Sequence, residues 1–259
     1  MKIAATACVN VGKRRSNNED NLCFNGECLN EQSREAPYFR TVTLTDEQCF
    51  GACVCDGMGG ESMGEAASLI GANAFAEWLG RIKTGRHFRW NAAAGEYFAD
   101  GGEKVAQYSA SIGAVSGCTA ALLLLQEGRA YFANEGDSRV YLLRGKKIKR
   151  LTTDQTLAEM LVKTRRMKRE QAEHSRAKSQ LTGFLGLAQC KPNIGKPFRC
   201  RKGDRFLLCS DGLTDMLSEQ QIYEKARIGE VSYCARDLMD GALAAGGDDN
   251  CTIILVEVS

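Results

Sequence analysis

Aspartates recur in this chain where apolar runs stop. CVCDGMGG carries Asp56, ANEGDSRVYLL carries Asp137, LLCSDGLTDML carries Asp211, and GGDDNCTIILV carries Asp248 and Asp249 with Asn250. SNNEDN places Glu19 and Asp20 just before NLCFNG. Singly, each reads as a turn or cap, because Asp and Gly are common turn residues. Together they suggest a cluster: if the strands share one sheet system, their ends converge and four or five carboxylates meet. Two unit charges about 4 Å apart at an effective dielectric near 20 repel by roughly 4 kcal/mol, so such a cluster needs protons or cations. Hard divalent cations take the oxygen ligands that Asp, Glu and a glycine carbonyl supply. Two such ions about 3.5–4 Å apart can share one water, lower its pKa and aim it at phosphorus. The glycines after Asp56 leave room for close approach. Arg15, four residues before Glu19, can hold two phosphate oxygens through paired hydrogen bonds, as a lysine cannot. Lys13 and Arg14 read as surface charges that raise the local positive potential.

The elements that must position these groups are mostly strands. ATACVN, NLCFNG, RTVTLT and CFGACVC come first; TAALLLLQ, RAYFANE, SRVYLLRG and KKIKRLT follow a helical middle; RFLLCS and CTIILVEV come last. Asn25-Gly26, Glu127-Gly128, Gly136-Asp137, Arg144-Gly145 and Lys202-Gly203-Asp204 punctuate them. Short turns between consecutive strands predict antiparallel pairing, with hairpin corners at Gly128 and Gly145. Met63, Ala66, Ala67, Ile70, Ala74 and Trp78 recur at helical spacing and predict a helix over 61–79. A second helix is predicted within 88–113 and another over 231–245, ending at Gly246-Gly247. Ser218 and Gln221 form a capping box that opens a further helix. Strands with helices in blocks predict an α+β layered fold in one domain. The stretch 156–180, rich in Lys163, Arg165, Arg166, Lys168 and Arg169, reads either as a solvated helical face or as a basic flap that attracts a negatively charged substrate.

Composition narrows the classes. The chain has 259 residues, ample for a sizeable core, and a formal charge of +2, unlike the strongly basic balance of nucleic-acid binders. Three prolines leave no Pro-rich linker. MKIAATACVN has no long apolar signal region, and AALLLL at 120–125 is far too short to span a bilayer, so a cytoplasmic protein with no membrane partner is expected. Twelve cysteines form no CxxC pair and lie inside apolar runs such as GACVC and FLLCS, which predicts reduced, structural thiols rather than a zinc site. His87, in the surface-like GRHFRW, and His174, in 156–180, neighbour no GxSxG elbow, and no GxxxxGK[ST] loop occurs.

GKRRSNNED, CDGMGG…GEAAS, GCTAALLL, ANEGDSRVYLLR, LTTDQT, QLTGFLG, LLCSDGLTDML and GGDDNCTIILV occur in this order across residues 12–256. Any one is weak; the ordered set resembles the metal-dependent serine/threonine protein phosphatases of the type 2C (PPM) family, the bacterial kind in particular. The resemblance implies a four-layer α-β-β-α sandwich, two central antiparallel sheets flanked by antiparallel helices. It implies a single catalytic domain over 1–259 with a flap subdomain at about 156–180. It also implies two core Mn²⁺ or Mg²⁺ ions bridged by Asp56, with the Gly57 carbonyl as a further ligand, Asp20 on one side and Asp211 and Asp249 on the other. Glu19 would hold a metal-bound water, Arg15 the phosphate, and Asp137 with Asp211 a third, weaker ion. The implied activity is hydrolysis of phosphoserine and phosphothreonine in proteins, reversing a Ser/Thr kinase. By the same resemblance a metal-bridging water would attack phosphorus in line, and the protein would act as a monomer. The human-type family pattern is DGHGG, its histidine a proposed general acid; this chain has Met58 there, as in many bacterial members, and also departs at Cys118, in the family's usual GTT, and at Gln155, where histidine is common. A pseudophosphatase that binds phosphoproteins without turnover is the competing reading; the intact set Asp20, Asp56, Asp211 and Asp249 argues against it.

Overall fold

Strands from both halves of the chain interleave into two stacked antiparallel sheets in the computed structural model, which describes residues 1–30, 37–45, 49–59, 62–83, 85 and 88–259. Among the described residues the first sheet runs β10 (Lys147–Arg150), β9 (Arg139–Arg144), β13 (Arg205–Cys209), β14 (Cys251–Val258), β1 (Lys2–Asn10), β4 (Tyr38–Thr45). The second runs β11 (Asn193–Ile194), β8 (Arg129–Glu135), β7 (Ala120–Gln126), β5 (Phe50–Met58), β2 (Asp20–Phe24), β3 (Glu27–Cys28), with β12 (Phe198–Arg199) beside β8 and β6 (Gly117–Cys118) beside β5.

Helices cover the outer faces. α1 (Ser62–Arg81) and α2 (Trp90–Ile112) lie on the second sheet; α3 (Leu157–Lys163) and α4 (Arg169–Glu173) lie in the stretch 156–180; α5 (Asp211–Thr214), α6 (Glu219–Ala226) and α7 (Val231–Ala245) belong to the first sheet's outer layer. This is the expected α-β-β-α sandwich. Covering both faces of each sheet explains why the central strands do not alternate in sequence. Leu123 and Leu125 of β7 point into the core between the sheets, while Leu122 and Leu124 point at α1 and α2. Ile254 and Val256 of β14 face the inter-sheet core, and Ile253 and Leu255 face α6 and α7. Burying each such side chain contributes about 2 kcal/mol. Edge strand β4 does alternate between half-buried and exposed positions.

The predicted helix over 61–79 is α1, with Ala67, Ala74 and Trp78 buried; Glu61 lies outside the described residues. The helix predicted within 88–113 is α2, closed by Gly113 at φ 64°. The helix predicted over 231–245 is α7, and Ser218 and Gln221 form the expected reciprocal cap of α6. Gly128 and Gly145 turn their hairpins at φ 69° and 59°. All twelve cysteines are free thiols. The stretch 156–180 is more than a solvated face. With a short 3₁₀ turn at Arg176–Ser179, α3 and α4 close a small core of Ala158, Ala172 and Ala177 against Leu157, Leu161, Val162 and Met167. His174 is exposed there, while His87 lies outside the described residues.

Antiparallel order decides where the aspartates go. β5 and β13 run toward one end of the sandwich and β2 and β14 start from it, so Asp56, Asp211, Asp20 and Asp249 gather at that end.

Candidate active site

Asp20 and Asp56 stand directly opposite each other across β2 and β5. The Gly57 N–H donates to the Glu19 carbonyl at 3.1 Å. That makes Glu19/Gly57 a hydrogen-bonded pair and Asp20/Asp56 the neighbouring non-hydrogen-bonded pair, where opposed Cα atoms lie only about 4.5 Å apart. Asp56 is held by its backbone: its N–H donates to Thr119 Oγ1 at 2.9 Å, and its carbonyl accepts from the Thr119 N–H at 2.8 Å. Gly57 tolerates no side chain, since a Cβ there would overlap the carbonyl oxygen of Gly64 in the first turn of α1. A Cβ on Gly64 would in turn sit 2.9 Å from Glu19 Oε1. The glycines after the strand thus let α1 press its start against the acidic residues; Gly60 lies outside the described residues.

Asp20 is buried, at 1% exposure. Its Oδ2 accepts from the hydroxyls of Ser210 and Thr252, each at 2.7 Å, whereas its Oδ1 has no partner. Glu19 Oε1 and Asp211 Oδ1 are likewise buried without partners. Enclosure, with the negative charges of Asp211 and Asp249, pushes the Asp20 carboxyl up to about 7 against its two hydroxyl bonds. Asp211 is pushed to about 6 by burial and by Asp215 and Asp249, opposed by its hydrogen bond with Asp56 and by Lys178. Asp56 lies well above the usual carboxylate range through burial and the charges of Asp20, Asp211, Asp137 and Asp249. Asp137 does so through burial, Asp211 and Asp154, opposed by Arg139. Burial also raises Glu19, opposed by Arg15.

The three residues Asp248-Asp249-Asn250 divide their work. Asp248 faces outward, 3.5 Å from Arg14. Asp249 accepts from Arg15 Nη2 at 2.8 Å. Asn250 turns inward: its Oδ1 accepts from the Glu19 N–H at 2.8 Å, and its Nδ2 donates to the carbonyls of Val11 and Asn17, each at 2.9 Å. This one amide staples the loop that carries Arg15 and Glu19 onto the start of β14. Arg15, expected to hold phosphate, is half-exposed and engaged with a carboxylate that otherwise has excess negative company.

Asp137 sits in the turn between β8 and β9. Beside it, Arg139 donates to Asp154 through Nη2 at 2.7 Å, and Arg150 reaches the same carboxylate at 3.0 Å. Gln155 links this turn to the segment after the flap. Its Oε1 accepts from the Gly136 N–H at 3.0 Å, and its Nε2 donates to the Lys191 carbonyl at 2.8 Å. Lys178, in the stretch 156–180, reaches Asp215, just past α5, at 2.5 Å. Sequence reasoning missed Ser210, Thr252 and Thr119 as positioning groups. Their only signals were adjacency to Asp211 for Ser210, a place beside the last strand's first residue for Thr252, and a place in the GCT motif for Thr119.

Among the described residues, no group of three or more His, Cys, Asp or Glu side chains is disposed as a ready metal cage. The donor set nevertheless fits hard cations. Three buried carboxylate oxygens lack any donor, and burial with mutual repulsion raises the facing carboxyls of Asp20 and Asp56 above the usual range.

The protein phosphatase 2C family matches residues 11–251. "Serine/threonine protein phosphatase PstP" of Mycobacterium tuberculosis is 32% identical over 214 residues, 79% of this chain and 40% of that protein. The chain therefore matches less than half the length of that relative. "Protein phosphatase PhpP" of Streptococcus pneumoniae is 30% identical over 254 residues, 96% of this chain and 95% of that protein. A solved structure of the PstP catalytic domain, described as in complex with 2 manganese ions, superposes with a TM-score of 0.79 at 27% identity, covering 99% of both chains.

Proposed function

We propose that this chain, which belongs to the protein phosphatase 2C family, hydrolyses phosphoserine and phosphothreonine in proteins with the help of divalent cations. The observation that carries the reading is the set of buried, unpartnered carboxylate oxygens on Glu19, Asp20 and Asp211 around Asp56. Asp20, Asp56, Asp211 and Asp249, with the Gly57 carbonyl and Glu19, would hold two Mn²⁺ or Mg²⁺ ions; Asp137 and Asp211 would hold a third. Bound cations would supply neutralising charge and a water of lowered pKa as nucleophile.

The chain's own residues do the rest. Sheet register sets the backbones of Asp20 and Asp56 opposite each other before any cation binds. Ser210 and Thr252 fix which oxygen of Asp20 faces the cluster. Arg15 exchanges Asp249 for the substrate's phosphate, pairing with two of its oxygens and offsetting charge that grows in the transition state. Met58 can neither give nor take a proton, so the leaving serine or threonine oxygen is protonated by another group. A cavity of about 620 Å³ between the flap and the segment 214–219 can seat the polypeptide around the phosphorylated residue; Lys178, Asp215 and Glu219 line it. The enzyme thus acts on the products of Ser/Thr kinases, as a monomer, in the cytoplasm. Among the described residues no helix is long and apolar enough to cross a membrane.

The test is hydrolysis of p-nitrophenyl phosphate and of a phosphothreonine peptide with Mn²⁺, without it, and in excess EDTA. Full activity in EDTA would overturn the cation-assisted reading. Binding of phosphoprotein with no turnover under any metal would establish the pseudophosphatase.

A further inference from the structure

Two of the cysteines that the site leaves unused face each other across a hairpin. Asn25 and Gly26 both take positive φ, 52° and 91°, so a two-residue type I′ turn joins β2 to β3. Phe24 and Glu27 flank that turn as its hydrogen-bonded pair, which makes the next pair, Cys23 and Cys28, non-hydrogen-bonded. Opposed Cα and Cβ atoms in such a pair each lie about 4.5 Å apart, within the reach of a disulfide. As directly opposed residues, the two side chains project from the same face of the hairpin. Cys28 is partly exposed and Cys23 is fully buried. Among the described residues β3 is a two-residue strand at the edge of its sheet.

The other thiol contacts lack one or more of these features. Cys23 also opposes Cys53. The Asn25 N–H to Gly51 carbonyl bond makes that pair hydrogen-bonded, with Cα atoms about 5.5 Å apart, and both side chains are buried in the sheet interior. Cys53 and Cys55 have sulfurs 3.5 Å apart. They sit two residues apart on one strand, with Cα atoms about 6.6 Å apart, at the limit of disulfide geometry. Both are wholly buried.

We propose that Cys23 and Cys28 are a reversible oxidation site, in which a hydroperoxide oxidises Cys28 and Cys23 resolves it as a cross-strand disulfide. The Cys28 thiolate attacks the peroxide O–O bond; an S–O bond forms, the O–O bond breaks, and hydroxide leaves. The Cys23 sulfur then attacks the Cys28 sulfur; the S–S bond forms, the S–O bond breaks, and water departs with the Cys23 proton. In sum two thiols and one hydrogen peroxide become one disulfide and two waters. The neighbouring Cys28 and burial push the Cys23 thiol well above its usual range.

Peptide mapping of the whole protein tests this, independently of any phosphatase assay. The native chain is treated with hydrogen peroxide, its remaining thiols are alkylated, and it is cleaved after glutamate. Glu27 lies between the two cysteines, so cleavage there separates them unless a disulfide joins the fragments. The expected product is the joined pair of fragments, released by dithiothreitol, formed before any other cysteine reacts. It should be lost in Cys28→Ser and in Cys28→Ala, with Cys23 still alkylatable. Three results would overturn the proposal: Cys23 and Cys28 both remaining alkylatable while other cysteines oxidise, Cys28 reaching the sulfinic acid without a joined product, or the joined product forming only after the protein is unfolded.

Discussion

Strand β13 has an aspartate just outside each of its ends, and the two could hardly be treated more differently. Asp204, before the strand, is 1% exposed; Arg144 grips both its oxygens, at 2.7 and 2.6 Å, and the Arg201 N–H adds a third bond at 2.7 Å. Next to it Arg205 bonds Glu257 and the Ala226 carbonyl, so the charges at this end are matched. Asp211, after the strand, keeps a buried oxygen with no donor and sits among Asp56, Asp249 and Asp215. Burial is common to both ends; charge balance is what separates them. A buried carboxylate matched by arginine serves the fold, whereas one left unmatched marks a place where charge must come from outside.

The sharpest way to break this comparison is to remove one carboxylate from each end. Asp56→Ala is expected to lower kcat for p-nitrophenyl phosphate by about a thousandfold, the upper range for loss of one electrostatic stabiliser. In EDTA the same substitution should raise stability, because it relieves the raised carboxyls around it. Asp204→Ala should do the reverse: lose about 3 kcal/mol in urea unfolding through the stranded guanidinium, with kcat per folded molecule unchanged. Equal activity losses in the two variants would erase the distinction.

Acidity should separate the ends next. Asp20 at about 7 and Asp211 at about 6 lie above the unfolded value near 3.9. Raised carboxyls hold protons in the folded state that the unfolded chain has lost, so the cation-free protein should lose stability as pH rises from about 4 through about 7. Urea midpoints in EDTA at pH 5 and pH 8 measure this, and Mn²⁺ should restore the pH 8 value by binding only the folded state. A midpoint that rises with pH would contradict the unbalanced cluster.

Smaller effects sharpen the outline of the site. Asn250→Ala removes the staple under Arg15 and Glu19 and should cost about 1–2 kcal/mol, with a raised KM for phosphopeptide. Lys178→Ala breaks a partly exposed pair between the flap and Asp215 and should cost under about 1 kcal/mol, shifting KM for phosphopeptides but not for p-nitrophenyl phosphate.

By itself the sequence determined the longer strands, the three main helices, the capped start of α6, and the aspartates that stand at strand ends, but not the two-residue strands β3, β6, β11 and β12. These are local matters: a turn needs its Asn-Gly, a helix its apolar stripe, a strand end its Asp-Gly. It left 156–180 undecided between a solvated helical face and a basic flap that attracts a negatively charged substrate, and did not show its small core, because three alanines carry little hydrophobic signal. Only the tertiary structure decided which aspartates meet and which are matched. Asp20 and Ser210 stand 190 residues apart, and the hydroxyl that orients the carboxylate arrives on a strand of the other sheet's system. Arg144 reaches Asp204 across 60 residues by the same logic. Coulomb energy depends on distance in space and on what else is buried nearby, and a chain's own order specifies neither until the strands have paired.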